Sequence, residues 1–322
     1  MTKSWKKVFD SLKLNSKFTL VICFFVALPI SVLAGVLFYN MERSVITENR
    51  NYMEYTMERN GDHIRKNIDS VNMTTQFFLN DEALLQMLQK SVRQEKMDTE
   101  ELLAFYHSNI TALERLVSNN TLLYCVRVYA VNDEVQEMMP ILYSRSRMQK
   151  MAWAGEADVS GWHYQYEDAL FDNNGTTQLA ALVTDIEDYE NGLIGVMETA
   201  VTMENMFPPL YEKMEDEWSC FVSDDGELYF GGNEADGSEE FVRLKMEQDL
   251  EKDGMYTRYL KQDGEHLIVS GLYVRELQGT LLSVKNISDN VRYVYRMRNI
   301  FVAVMLVILI GLAFLINFTV KR

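Results

Sequence analysis

Two uninterrupted apolar runs constrain this chain more than any other feature. Residues 18–39 (FTLVICFFVALPISVLAGVLFY) and 300–320 (IFVAVMLVILIGLAFLINFTV) contain no Asp, Glu, Lys or Arg. About 20 residues of helix cross a hydrocarbon core about 30 Å thick, so both runs are expected to be transmembrane helices. Lys3, Lys6, Lys7, Lys13 and Lys17 precede the first run against Asp10 alone, and Lys321-Arg322 follow the second. An excess of Lys and Arg marks the cytoplasmic flank. Both ends of the chain are therefore expected in the cytoplasm, with the large middle portion outside a membrane crossed twice. The first run exceeds the apolar length of a cleavable signal sequence and leads into helical sequence without a clear small-x-small site, which favours an uncleaved anchor.

Charge separates sharply along the chain. The 260 residues between the runs hold 24 basic and 46 acidic side chains, a net charge of −22. Such a surface excludes nucleic acid, whose phosphates demand a basic face, and it is repelled by anionic lipid headgroups. Cys23 lies in a span, leaving only Cys125 and Cys220 outside. Disulfide-dependent secreted folds are usually richer in Cys, so two buried free thiols are expected. His63, His107, His163 and His266 are scattered, and none forms the i, i+4 pair of a zinc-binding helix. No metal and no cofactor is expected.

The outer portion begins helical. From Tyr39 to about Leu79 there is no proline and a single glycine, Gly61, while Val45, Tyr52, Tyr55, Ile64, Ile68 and Val71 recur at helical separations. A long stalk helix is expected, with Gly61 as its weak point. Asn80 or Asp81 can cap a short helix through Lys90, and Asp98 with Glu101 resembles a capping box for another. Leu102, Tyr106, Ile110, Leu113 and Val117 would form that helix's buried face.

After Thr121 the pattern turns to β. TLLYCVRVYAV, ILYS (141–144), QLAALVTDI (178–186) and GLIGVMETAV (192–201) are rich in β-branched and aromatic residues. A helix from Ser146 to Ala154 fits between the second and third. Asp172-Asn173-Asn174-Gly175 and Glu190-Asn191-Gly192 are hairpin turns by composition, and Pro208-Pro209 closes the block. A second block follows with turns at Asp225-Gly226 and Asp263-Gly264, a helix expected over 239–252, and a last strand GTLLSVKNI (279–287). Ser288 to Arg298 reads as helix running into the second span. The expected class is α+β: two small antiparallel-sheet modules on a helical stalk, flanked by two transmembrane helices. The expected divisions are 1–17 cytoplasmic, 18–39 span, 40–120 stalk and helical segment, 121–210 distal module, 211–287 proximal module, 288–299 connecting helix, 300–320 span, and 321–322 cytoplasmic.

On these residues the chain resembles the double Cache (dCache) sensory region of bacterial receptors, whose modules are PAS-like. The stretch SVITENRNYMEYTMERNGDHIRKNIDSVNMTTQFFLNDEALLQML is similar to the membrane-exit helix of YesM-type sensor histidine kinases of Firmicutes. NGLIGVMETAVTMENMF is similar to the strand and short helix that close a distal Cache sheet, and LQGTLLSVKNIS resembles the final strand of the proximal module. The resemblance implies a homodimeric ligand-sensing receptor that signals through its second span in a two-component system. A kinase would also need, after that span, a helix bearing a phosphorylated His and an ATP-binding domain. Only Lys321 and Arg322 follow here, so the chain is expected to be the sensory half of a longer receptor or to act through a separate partner. The same outer region precedes diguanylate cyclase and chemotaxis outputs in related receptors.

No catalytic constellation stands out. The chain lacks a G-x-S-x-G elbow, a P-loop and a dinucleotide fingerprint, which speaks against the alternative of a membrane-tethered enzyme. With 46 carboxylates outside, chance pairs are expected everywhere. Asp172 to Gly175 lacks the alternation of a calcium loop. Binding remains. Trp153, Trp162, His163, Tyr164 and Tyr166 cluster within fourteen positions and could form an aromatic wall for a small polar ligand, or equally the module's core. Asp185 is the candidate acceptor for a ligand hydroxyl or ammonium. The resemblance bears on ligand type: amino-acid-binding Cache domains carry Arg-x-Trp-Tyr with a later Asp, whereas here Arg145 and Arg147 precede Trp153 without that element. Sugars, organic acids, other small polar compounds or a companion solute-binding protein are the expected partners, together with membrane lipid.

Overall fold

In the computed structural model the described residues are 14–155, 159–171, 177–212, 216–231 and 254–320. Helix α1, Leu14–Leu79, runs unbroken for 66 residues through Pro29. Within it, Gly61 is a close-approach position rather than a weak point, since a Cβ there would stand 2.4 Å from Leu272 Cδ2. Helix α2, Glu82–Val92, is capped by Asp81, whose carboxylate accepts the Leu84 N–H at 2.8 Å. Asp98 caps α3, Thr99–Phe105. The expected capping box does not close, because Glu101 pairs instead with Lys90.

A π-turn, Tyr106–Ile110, joins α3 to α4, Thr111–Asn119. Its extra residue per turn rotates the apolar face. Phe105, Ile110 and Leu113 are buried, and Tyr106, expected inside, is exposed.

The first sheet comprises β1 (Leu123–Ala130), β2 (Leu142–Tyr143), β3 (Gly161–Tyr166), β4 (Leu179–Asp188) and β5 (Gly192–Thr202), in the order β2-β1-β5-β4-β3. All described pairings are antiparallel except β1 with β2, which is parallel. The turn between β4 and β5 falls where Asn191-Gly192 predicts it, with Gly192 at φ +70. The expected 146–154 helix is instead a four-residue helix, α5 (Arg145–Met148), and a 3-10 turn, Ala152–Gly155. A short helix α6, Met203–Met206, and a 3-10 turn at Pro208–Leu210 close the block.

The second sheet comprises β6 (Glu217–Ser223), β7 (Leu228–Phe230), β8 (Met255–Gln262), β9 (Glu265–Val274) and β10 (Gly279–Asn286), in the order β7-β6-β10-β9-β8. Counted from its own first strand, this order repeats that of the first sheet. Helix α7, Ser288–Val320, follows directly. The turn at 172–175 and the helix over 239–252 expected from sequence lie outside the described residues. Cys125 and Cys220, one in each sheet, are not joined in a disulfide. The fold class is thus α+β, two sheet modules between two long apolar helices.

Both α1 and α7 contain segments long and apolar enough to cross a membrane. Their large side chains are widely exposed, Phe25 at 72% and Phe314 at 72% among them. Lipid is the solvent that makes such surface favourable.

The chain divides into two compact units, one of residues up to Met53, Thr257–Val269 and Lys285 onward, the other of Glu54–Tyr256 and Ser270–Val284. In the first, Met53, Ile268, Ile287 and Val291 pack together. There the Tyr295 hydroxyl donates to Glu42 at 2.7 Å, the Lys285 ammonium sits 4.1 Å from the Tyr52 ring centre, and Phe38 meets Phe301 edge-on at 5.8 Å. In the second, one face of the first sheet, through Val126, Val128, Ile194 and Met197, packs on Phe78, Leu84, Leu88, Phe105, Ile110 and Leu113. The opposite face carries the buried ionic pair, Arg127 with Glu198.

Candidate functional site

Strand alternation sends Cys125, Arg127 and Tyr129 of β1 to the face opposite Val126 and Val128. Arg127 stands in register with Glu198 of β5, so the two inner strands set a guanidinium beside a carboxylate. Both are buried, at 2% and 0% exposure. A buried charge is tolerated only when paired and hydrogen-bonded. Glu198 meets that condition: it accepts from Tyr129 Oη at 2.7 Å, Tyr166 Oη at 2.6 Å and Trp153 Nε1 at 3.4 Å, with Arg127 Nη1 3.6 Å away.

Arg127 directs its fork at Asp168, beyond the end of β3. Nη1 donates to Oδ1 at 3.0 Å and Nη2 to Oδ2 at 2.5 Å, the bidentate geometry that gives such pairs strength and direction. Asp168 also accepts from Tyr124 Oη at 3.1 Å and from the Leu170 and Phe171 amides at 3.0 and 3.4 Å. Phe171 lies against the guanidinium, 5.4 Å from ring centre to carbon. Burial pushes the Asp168 carboxyl up, but the Arg127 and backbone hydrogen bonds prevail and hold it below its ordinary value. Burial and then the Asp168 charge push the Tyr124 phenol up to about 12. Burial and then Glu198 raise Tyr129 and Tyr166 in the same direction. These phenols are donors throughout the physiological range.

Trp153 and Tyr166 also belong to the wall of a cleft of about 1190 Å³, lined further by Trp162, Tyr164, Asn72, Tyr229 and the carboxylates of Asp225, Glu227 and Glu276. Trp162 and Tyr164 stand on one face of β3 with their planes 6° apart and centroids 6.4 Å apart. Tyr164 is fixed by its hydroxyl donating to the Leu277 carbonyl at 2.8 Å and by Phe221 and Tyr229 at 5.1 and 5.3 Å. His163 points the other way, toward Trp153, with centroids 6.1 Å apart. Its Nε2 lies 2.8 Å from the Val159 carbonyl.

Five of the six residues singled out by sequence therefore line one cleft: Trp153, Trp162, His163, Tyr164 and Tyr166. They do not make a single wall, because strand alternation divides them between two faces. Asp185 is not among the lining residues. Pairing of β3 on β4 ends at Val183, and Asp185 lies two residues further, exposed and opposite Val196. The carboxylates behind the aromatics are Glu198 and Asp168. Glu198 carried a readable signal, as a lone charge inside the buried run GLIGVMETAV, and Arg127 was the matching charge in TLLYCVRVYAV. Among the described residues, no three His, Cys, Asp or Glu are grouped to hold a metal ion.

No family model matches the chain, and no curated protein matches it. Solved structures do. The ligand-binding domain of the Campylobacter jejuni chemoreceptor Tlp3, in complex with L-valine, is 12% identical over 78% of this chain and 98% of its own, with a TM-score of 0.46. The extracellular domain of vpHK1S-Z8, named as a histidine kinase, is 10% identical over 76% and 97%, with a TM-score of 0.47. The ligand-binding domain of the Pseudomonas aeruginosa PAO1 amino-acid chemoreceptor PctC, in complex with GABA, is 10% identical over 73% and 99%, with a TM-score of 0.44. These three TM-scores all fall short of 0.5, and the functional reading stands on this chain's own residues.

Proposed function

We propose that this chain is the ligand-sensing and transmembrane signalling portion of a bacterial receptor, a double Cache region similar in composition to that of YesM-like sensor histidine kinases. Both termini are cytoplasmic and the two sheets extracytoplasmic, as the basic flanks of the spans require. The observation that carries the reading is a cleft along the aromatic edge of the first sheet, backed by a buried ionic cluster, in a chain bounded by two membrane-length helices. A fully tied ionic cluster behind a half-open aromatic wall is a preorganised site. The ligand is a small polar molecule. Asp225, Glu227 and Glu276 in the cleft favour neutral or cationic ligands over organic acids.

Signalling requires that ligand prefer one of two arrangements, since equal affinity shifts nothing. A hundredfold preference supplies about 2.7 kcal/mol. The chain's last strand, β10, continues through Ile287 into α7, which is the covalent route inward. The receptor works as a homodimer, and phosphoryl transfer, cyclase or chemotaxis output belongs to a cytoplasmic partner or further domain.

The test is a thermal-shift screen of the whole chain in lipid nanodiscs against sugars, amines, amino acids and organic acids. A stabilising compound is expected to lose its effect on Trp162→Ala and to keep it on Asp185→Ala. Undiminished stabilisation of Trp162→Ala would reject the cleft as the binding site.

A further inference from the structure

The cleft is bordered by main chain, not by one face of a sheet. A strand offers alternate residues to either side, yet every residue from Ser160 to Tyr166 lines this cleft. Consecutive residues meet one cavity only where it runs along a strand's open edge. Among the described residues, strand β3 is terminal in its sheet and β4 is the strand it pairs with. Its outer row of N–H and C=O groups is a template for an added strand.

Edges are ordinarily blunted by Lys, Pro or inward charge. GWHYQY has none of these. It has one guard, a bulge: Gln165 takes φ +54 and the register on β4 shifts between Tyr164 and Tyr166. A bulge ends regular pairing, which leaves Gly161–Tyr164 as the usable edge, about 13 Å at 3.3 Å per residue. The second wall includes Leu228 and Tyr229 of β7, itself terminal in the other sheet, with Asp225, Glu227 and Glu276. Among the described lining residues there is no Lys or Arg. Trp162, nearly parallel to the Tyr164 ring on the same face, offers its ring to a cationic side chain of an added strand.

We propose that the ligand of this cleft is a short, extended, basic peptide that adds as a strand along Gly161–Tyr164, its main chain bonded to the open edge and its cationic side chains set among the aromatic pair and the three carboxylates. This rests on the cleft being the receptor's binding site and narrows its ligand class.

The experiment measures Trp fluorescence and calorimetric binding of acetylated, amidated Lys-Val-Lys-Val-Lys to the whole chain in nanodiscs. Two further versions carry N-methyl groups on the odd or the even main-chain nitrogens, and a Glu-Val-Glu-Val-Glu peptide reverses the charge. An added strand bonds through one alternate set of its N–H groups, so one methylated version is expected to bind at least tenfold more weakly while the other keeps the parent's affinity. The acidic peptide is expected not to bind, and Trp162→Ala to weaken the parent peptide. Equal affinity of both methylated versions, equal loss of both, or no binding of the parent overturns the peptide assignment. A small molecule from the screen that still depends on Trp162 would then leave the receptor reading standing, so the two failures are distinguishable.

Discussion

In the first sheet the inner strands β1 and β5 set Arg127 against Glu198; in the second, the strands holding the same places, β6 and β10, set Ser219 against Ser283 with hydroxyl oxygens 2.7 Å apart. The strand order is common to both, but one central pair buries opposite charges within a ring of phenols and an indole, and the other joins two small neutral hydroxyls, one buried and one half-buried. A charged central pair is an expensive way to hold a sheet together, because apolar replacements of buried ion pairs are often neutral or stabilising. Among the described residues it is the first sheet that carries such a pair, which is what the proposed placement of recognition in that sheet calls for. The largest test of that contrast is Glu198→Ala. It strips Tyr129, Tyr166 and Trp153 of their acceptor and leaves Arg127 with Asp168 alone. Removing one member of a buried pair costs about 3–5 kcal/mol. Thermal melting of the purified full chain should show a large drop; a melting temperature within a degree of the parent would mean that the cluster does not hold the first sheet together.

Asp168 sharpens the same comparison through pH. Its carboxyl is held below the ordinary value of about 3.9, so the unfolded chain takes up the proton first as acidity rises. The stability it contributes is complete above that ordinary value and is lost as pH falls through the lower folded-state value. Asp168→Asn keeps the shape and removes the charge, and is expected to cost about 1–3 kcal/mol near pH 7. Melting curves of parent and variant, taken from pH 7 down to pH 3, should converge toward the acid end. Parallel curves across that range would show that the Arg127 pair does not titrate as the hydrogen bonds imply.

Much of this was legible in the sequence, for reasons of range. The spans, the Asp81 cap, the Asn191-Gly192 hairpin and the Asp263-Gly264 turn are set by residues within a few positions of one another. One extra residue breaks the period in two places: the π-turn at Tyr106–Ile110 moved the buried face from the expected Tyr106 to Phe105, and the bulge at Gln165 turns Tyr166 to the face that His163 shares with Trp153. Periodicity assumes a constant step, and neither place has one. Asp168 was not legible at all, because what marks it is Arg127, 41 residues earlier, reached only through the fold. Gly61 was read by propensity as a flaw and is explained by Leu272, which no local rule supplies.

The smallest expected effect lies in the second sheet. Ser219→Ala removes one hydroxyl of a neutral pair and leaves Ser283 with a single unsatisfied group, a loss of about 0.5–1.5 kcal/mol. The paired change Ser219→Ala with Ser283→Ala removes both partners and should recover part of that loss, since no orphaned hydroxyl remains. Neither residue lines the cleft, so ligand-induced stabilisation should keep its size in both variants. A Ser219→Ala loss as large as that of Glu198→Ala would erase the distinction between the two central pairs. A ligand response that vanished in Ser219→Ala would place recognition in the second sheet as well, and the charged pair of the first would then need another explanation than binding.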